Sequence, residues 1–164
     1  LASCRGFSAI AARRHPATHH EQDSMISLTH DPVLTDFDHK RLHALLHVLR
    51  QRSGANPWNL HALELELSRA RTVAREAIAS DVITMNSTIR VQDLASGQLS
   101  RLTLVFPGAT GGAGQSVPVL SPLGLSLLGS RVGQTVTNAT ASGPRQLRIE
   151  AVEYQPEATG NYAF

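Results

Sequence analysis

Histidines at helical spacing are the first side chains in this sequence whose type and position suit chemistry. His39, His43 and His47 recur every four residues, and His61 follows further along the chain. Two histidines at i and i+4 can hold a transition metal between them. A structural zinc site needs about four ligands, and no cysteine or nearby carboxylate completes this one. The pattern favours a solvated helix face over a metal site, and we assign no metal and no cofactor.

The glycine-rich stretch 109–116, ATGGAGQS, is the second candidate, because loops of this kind can cradle phosphates. Gln115 stands where a phosphate-binding loop carries lysine. The stretch also lies between two predicted strands and does not open a long helix. We therefore predict a mobile hairpin loop.

Catalysis by an acid, a base or a nucleophile has few candidate residues. All eight histidines lie at or before position 61, the single cysteine is Cys4, and residues 81–164 contain no His, Cys or Lys. Glu150, Glu153 and Glu157 lie close together, but acids in a terminal strand usually face solvent. We assign no catalytic residue and expect that the protein is not an enzyme.

Composition narrows the possible partners. The 164 residues carry a formal net charge of +2, and 14 of the 15 basic residues are arginine, the exception being Lys40. This weak charge argues against a dedicated nucleic-acid reader. No apolar run approaches the roughly 18 residues that span a bilayer, so no membrane partner is expected. A single cysteine is typical of a reducing compartment, here the cytoplasm.

Residues 26–80 have the pattern of a helical hairpin. In the first helix Leu42, Leu45, Leu46 and Leu49 share one face, and Thr35 or Asp36 can cap its start. After the break at Gly54, Asn56 and Pro57 can begin a second helix. Its coiled-coil-like seam consists of Leu60, Leu63, Leu67, Ala70 and Ala74. The short connection predicts antiparallel helices roughly 24 Å long.

Residues 81–164 change to the alternation of β-strands. The alternating pairs are Ile89 and Val91, Leu102 and Leu104 with Phe106, Val117 and Val119, and Leu147 and Ile149. Pro118 marks an edge strand. We predict an α+β fold, in which the helical hairpin precedes a mostly antiparallel sheet of about five strands, with one short helix at 123–130. Residues 1–25 lack an apolar period and are expected to be a disordered extension or a start assigned too far upstream; an organelle transit peptide is the less favoured alternative.

The turn of the predicted hairpin is a candidate contact surface. Its residues Arg50, Arg52, Asn56 and Trp58 lie in a window, His39 through Leu63, that contains no Asp or Glu. The hairpin tip, as we call these four residues, is therefore neutral to basic. Trp58 is the only tryptophan, and it can either anchor a partner or staple the turn against the first helix.

Three stretches carry a family resemblance. The segment SPLGLSLLGSRVGQTV, 121–136, resembles the Ser-Pro-x-Gly, Leu-x-Gly, x-Val-Gly-Asp-x-Val signature of GreA/GreB-type transcription factors. SDVITMNSTIRVQDLASGQ and VEYQPEATGNYAF are similar to one branch of that family, the regulator of nucleoside diphosphate kinase (Rnk). Gln134 departs from the aspartate of the signature.

The resemblance implies a coiled-coil hairpin, an FKBP-like sheet domain at 81–164 and docking at the secondary channel of bacterial RNA polymerase. On this chain the docking loop corresponds to Ser121, Pro122, Leu123 and Gly124. Gre factors carry two acidic residues at the hairpin tip, whose oxygens suit a second Mg²⁺ for RNA cleavage. Because this tip lacks carboxylates and the hairpin is short, we expect a non-catalytic protein that binds the β and β′ subunits near the channel and competes with Gre factors.

Other functions are open at this stage. One is regulation of nucleoside diphosphate kinase or another metabolic partner. A second is prolyl isomerisation, which needs an aromatic-lined pocket, and residues 81–164 offer only Phe106, Tyr154, Tyr162 and Phe164. Any association with DNA is expected to run through the polymerase, and we expect a monomer.

Overall fold

A computed structural model describes residues 31–52, 54 and 56–160 of the chain. The predicted extension at 1–25 lies outside the described residues, as do Tyr162 and Phe164. The elements in chain order are β1 (Val33–Thr35), α1 (Asp36–Arg50), α2 (Pro57–Arg69), β2 (Arg71–Val73), a 3₁₀ turn (Arg75–Ala77), β3 (Thr88–Asp93), β4 (Leu99–Val105), β5 (Gln115–Pro118), α3 (Pro122–Leu127), β6 (Thr135–Thr140) and β7 (Gly143–Tyr154).

Both long helices begin where the sequence predicts. Thr35 Oγ1 accepts a hydrogen bond from the backbone N–H of Asp38 at 3.0 Å, which caps α1. Asn56 Oδ1 accepts from the N–H of Trp58 at 3.0 Å, and Pro57 occupies the first turn of α2. Side-chain caps satisfy N–H groups that a helix start leaves without partners.

The second helix ends earlier than its apolar seam suggests. Ala70 already has an extended backbone, and Ala74 lies beyond the helix. The chain instead forms β2, which pairs in parallel with β1 through contacts such as Arg71 N–H to the Pro32 carbonyl at 2.8 Å. The prediction of a seam through Ala74 is therefore wrong, because pairing with a distant strand outweighs the local helical pattern.

The two helices contact each other and run antiparallel. Near one end Arg50 of α1 contacts Glu64 of α2, and near the other His39 Nε2 lies 3.2 Å from the Leu67 carbonyl oxygen. The 15 residues of α1 give it a length of about 22 Å. Leu42 and Leu46 of α1 and Leu63 of α2 are buried on the facing sides.

The second half forms a five-stranded sheet with the order β5-β4-β3-β7-β6. Pro118 lies in β5 at one edge, as expected for a residue without an N–H donor. Three of the four strand pairs are antiparallel, but β4 and β5 are parallel. The connection at 106–114 is therefore not a hairpin loop, and that prediction is wrong. A single core cluster joins the sheet to all three helices.

Candidate partner-docking surface

The predicted docking loop is the start of α3. Ser121 Oγ accepts from the N–H of Gly124 at 3.0 Å and donates to the Pro118 carbonyl at 2.7 Å, so it caps the helix and closes the preceding turn. Pro122, at the first helical position, is exposed, whereas Leu123 is half-buried against the core. The loop is thus rigidly held and presents Pro122 outwards.

Gly124 has a structural role within this loop. A Cβ at this position would lie 2.1 Å from the Pro118 carbonyl oxygen, much closer than real contacts allow. Because Gly124 is buried, it shapes the loop and offers no surface of its own. A glycine is needed here because the site has no room for a side chain.

At the hairpin tip, Trp58 is the prominent feature. Its side chain is 80% exposed. An exposed indole cannot staple the turn against α1, so of the two roles that the sequence allowed, only the surface role fits. Arg52 and Asn56 are also exposed, and Asn56 is committed to capping α2.

Glu64 modifies the charge expected near the tip. It lies one residue beyond the acid-free window, and the helix pair brings its carboxylate against the Arg50 guanidinium. The hydrogen bond from Arg50 lowers the pKa of Glu64 below its ordinary value. Sequence reasoning missed this contact, although opposite charges on both sides of a predicted turn are a usable signal. The tip is therefore less basic than its sequence window suggests.

A groove of about 230 Å³ joins the tip to the docking loop. Trp58 of the tip lines it, as do Pro122 and Leu125 of α3. Ala62 and Leu65 of α2 add apolar surface, and Glu66 of the same helix is the single carboxylate of the lining. Asn59 and His61 are its other polar residues. Two regions singled out separately from the sequence thus border one depression.

Glu66 is the unexpected member of this groove. Only 2% of the residue is exposed, and neither carboxylate oxygen has a hydrogen-bond partner among the described residues. Burial raises the pKa of Glu66 above its ordinary value, an effect that the charge of Arg69 only partly opposes. No pattern in the sequence distinguishes the buried Glu66 from the half-buried Glu64 two residues earlier.

A larger cavity of about 960 Å³ lies beside β4 and the glycine-rich segment. It brings together Phe106 and Tyr154, two of the four aromatic residues named for a prolyl isomerase. Arg41, Arg101 and Glu153 also line it, and the Arg41 guanidinium lies 4.4 Å from the centre of the Phe106 ring. These charges make it unlike the apolar aromatic pocket that isomerisation requires.

The histidines do not converge. His39 and His43 stack edge to face with ring centres 4.6 Å apart, while His47 contacts Gln51 and His61 lies 3.9 Å from Glu64. Within the part of the chain that the structure describes, no group of three or more His, Cys, Asp or Glu side chains is placed to hold a metal ion.

Of the three C-terminal glutamates, Glu153 is exposed as expected, whereas Glu150 and Glu157 are half-buried. Glu157 accepts a hydrogen bond from the Thr84 hydroxyl at 2.7 Å, and Glu153 pairs with Arg90 and Arg101. Glu153 therefore links β7 to β3 and β4, whereas Glu157 connects the segment after β7 to the segment before β3. Across residues 31–160, outside the two undescribed positions, no helix is long and apolar enough to cross a membrane.

Comparisons with known proteins cover both halves of the chain. Residues 78–154 match the family model of the C-terminal part of the transcription elongation factors GreA/GreB, and residues 33–73 match that of the Rnk N-terminus. The chain is 34% identical over 131 residues to the regulator of nucleoside diphosphate kinase of Escherichia coli K12, covering 79% of this chain and 94% of that protein.

Two further relatives carry names that refer to transcription. The transcription inhibitor protein Gfh1 of Thermus thermophilus is 29% identical over 119 residues, which are 71% of this chain and 72% of that protein. Among solved structures, a prokaryotic transcription elongation factor GreA/GreB from Nitrosomonas europaea superposes with a TM-score of 0.64 and 32% identity. That match covers 76% of this chain and 99% of the other, and it supports the mixed α+β fold.

Proposed function

Because the chain belongs to the GreA/GreB family of transcription factors, in its Rnk branch, we propose that it is a non-catalytic regulator of bacterial RNA polymerase. It binds the β and β′ subunits at the secondary channel and competes there with Gre transcript-cleavage factors. The proposal includes coiled-coil packing of α1 and α2, an FKBP-like sheet domain and a monomeric chain whose association with DNA runs through the polymerase.

The observation that carries the proposal is the contrast between the docking loop and the tip. Ser121 and Gly124 hold the loop in a defined shape, with Pro122 outwards. At the tip the first carboxylate after the acid-free window belongs to Glu64, which is already paired with Arg50. A second Mg²⁺ needs free carboxylate oxygens, so this arrangement supports binding without cleavage.

The length of the helix pair points the same way. A helix of about 22 Å limits how far the tip extends from the sheet domain. A protein that occupies the secondary-channel site but has no acidic pair at its tip prevents a Gre factor from binding. It does not itself stimulate RNA cleavage. The similarity to a protein named a transcription inhibitor favours this negative role.

A transcript-cleavage assay on backtracked polymerase tests the proposal. We expect no cleavage with this protein alone, and inhibition when it is titrated against a Gre factor. Pro122→Glu, an exposed change at a helix N-terminus where an acid is tolerated, should raise the inhibitory concentration by about tenfold or more. Glu76→Gln, an exposed site away from the loop, is the matched control. Cleavage by the protein alone, or no inhibition, would contradict the proposal.

A second candidate function is regulation of nucleoside diphosphate kinase through direct contact. The 34% identity to a protein of that name favours it. Size-exclusion chromatography of the two purified proteins separates the candidates. A stable complex with the kinase, together with no effect on cleavage by a Gre factor, would replace the polymerase proposal.

A further inference from the structure

Glu66 is a buried carboxyl group that the proposed function does not yet use. Its residue is 2% exposed, and both carboxylate oxygens are without a hydrogen-bond partner among the described residues. A buried carboxylate without donors destabilises the fold that contains it. The cost of such a carboxylate is lower when a bound partner protein supplies the hydrogen-bond donors that the fold itself lacks.

The surroundings of Glu66 limit what that partner is. The groove measures about 230 Å³, below the roughly 300 Å³ at which small-molecule pockets begin. It suits one or two side chains of another protein. Apart from Glu66, its walls are mainly apolar, with Leu65, Pro122 and Leu125 contributing.

The carboxylate of Glu66 indicates which side chain of the partner would bind it. An arginine has five N–H donors in a planar fork that matches a carboxylate with two parallel hydrogen bonds. Its weak hydration makes it easier to bury than lysine. A metal ion is a poorer match, because Glu66 is the single carboxylate of the groove and only His61 and Asn59 could add further side-chain ligands there.

Trp58 adds a second contact in the same groove. It is eight residues before Glu66 on α2, so about 12 Å separates the two positions along the helix axis. An 80% exposed tryptophan offers a large rigid surface for an apolar side chain. The groove therefore presents an apolar contact and a buried acceptor about two helical turns apart.

We propose that this groove receives a segment of a protein partner that inserts an arginine onto Glu66 and packs an apolar side chain on Trp58. The inference rests on the proposed function, which makes RNA polymerase that partner. It extends the docking surface from the exposed Pro122 across α3 to α2. In the complex, hydrogen bonds from the arginine offset the free-energy cost of burying the carboxylate. In the free protein that cost remains.

This role makes stability and binding respond in opposite directions. Glu66→Leu removes an unpaired buried charge, so the melting temperature of the free protein should rise by about 3 °C or more. The same change removes the acceptor for arginine, so the Kd for core RNA polymerase should rise at least tenfold. A purely structural glutamate would lower both stability and affinity when replaced.

The experiment measures binding of the fluorescently labelled full chain to core RNA polymerase by anisotropy, with melting curves for each variant. Glu66→Gln, which keeps the shape and loses the charge, should also weaken binding at least tenfold. Trp58→Ala should weaken it without changing stability, and Glu76→Gln should change neither. If the wild type does not bind polymerase, the proposed function fails. If the wild type binds and Glu66→Gln binds equally well, docking stands and the groove proposal is wrong.

Photo-cross-linking identifies the occupant. A photo-reactive residue in place of Ala62, which lines the groove, is cross-linked in the polymerase complex, and the attached peptide is sequenced. An arginine-containing peptide of the β or β′ subunit supports the proposal. A peptide without arginine, or one from a second copy of this chain, overturns it.

Discussion

Replacement of Asp38 by asparagine should change how the stability of the fold depends on pH. Asp38 lies in the first turn of α1 and is 3% exposed, and its Oδ2 accepts a hydrogen bond from the Met85 N–H at 3.1 Å. Burial raises its pKa from 3.8 to about 6, and the nearby Glu157 adds to the rise. The Met85 hydrogen bond and the charges of Arg41 and Arg75 oppose it only in part.

The direction of the effect follows from the two pKa values. Since the folded pKa of Asp38 is higher than the unfolded one, the protonated side chain favours the folded state. That contribution is fully present below pH 3.8 and is lost as the pH rises through about 6. A rise of about two units corresponds to about 3 kcal/mol of unfolding free energy lost between pH 4 and pH 7.

Asparagine cannot ionise but keeps an oxygen that accepts from the Met85 N–H. We therefore expect Asp38→Asn to match the wild type at pH 4 and to exceed it by up to about 3 kcal/mol at pH 7. Guanidinium denaturation at pH 4, 5, 6 and 7 measures this difference. The exposed neighbour Asp36, changed to asparagine, is the control and should show little pH-dependent difference. An Asp38→Asn variant less stable than the wild type at pH 7 would refute the argument.

Two further substitutions test the loop and the tip. Gly124→Ala should destabilise the fold by about 1–3 kcal/mol, because the added Cβ would meet the Pro118 carbonyl oxygen. Gly111→Ala, the control, has open space around it and should leave the melting temperature unchanged. Equal melting temperatures of the two variants would contradict this. Asn56→Ala should cost about 1 kcal/mol by removing the cap of α2, and Asn56→Ser should restore most of it in a urea titration. No loss with alanine would mean that this cap adds no stability.

The starts of the helices were predictable because caps act locally. Thr35 and Asn56 each bond to an N–H two or three residues ahead, so the sequence alone contains both partners. The end of α2 was not predictable in this way. Ala70 and Ala74 continue the apolar spacing, but β2 pairs with a strand far away in sequence.

The strands show the same division. Alternation along β3 and around Leu147 and Ile149 of β7 reflects which side chains face the core, and it is visible in the sequence. In β4 the residues from Leu102 to Val105 are all buried, so the alternation of the sequence does not report which of them are exposed. The parallel pairing of β4 with β5 is not, because strand direction depends on how the connection crosses the sheet. For that reason a loop that looked like a hairpin turned out to be a crossover.

For the candidate docking surface too, some features were predictable from the sequence and others were not. The sequence by itself determined the Ser-Pro loop, the single tryptophan beside the turn and the acid-free tip, since each depends only on residue types close together in the chain; the exposure of that tryptophan came from the structure. Only the tertiary structure decided that Trp58 and Pro122 border one groove, that Glu64 pairs with Arg50, and that Asp38 and Glu66 are buried. Burial of a charge depends on the elements packed against it, and a local sequence pattern contains no information about those neighbours.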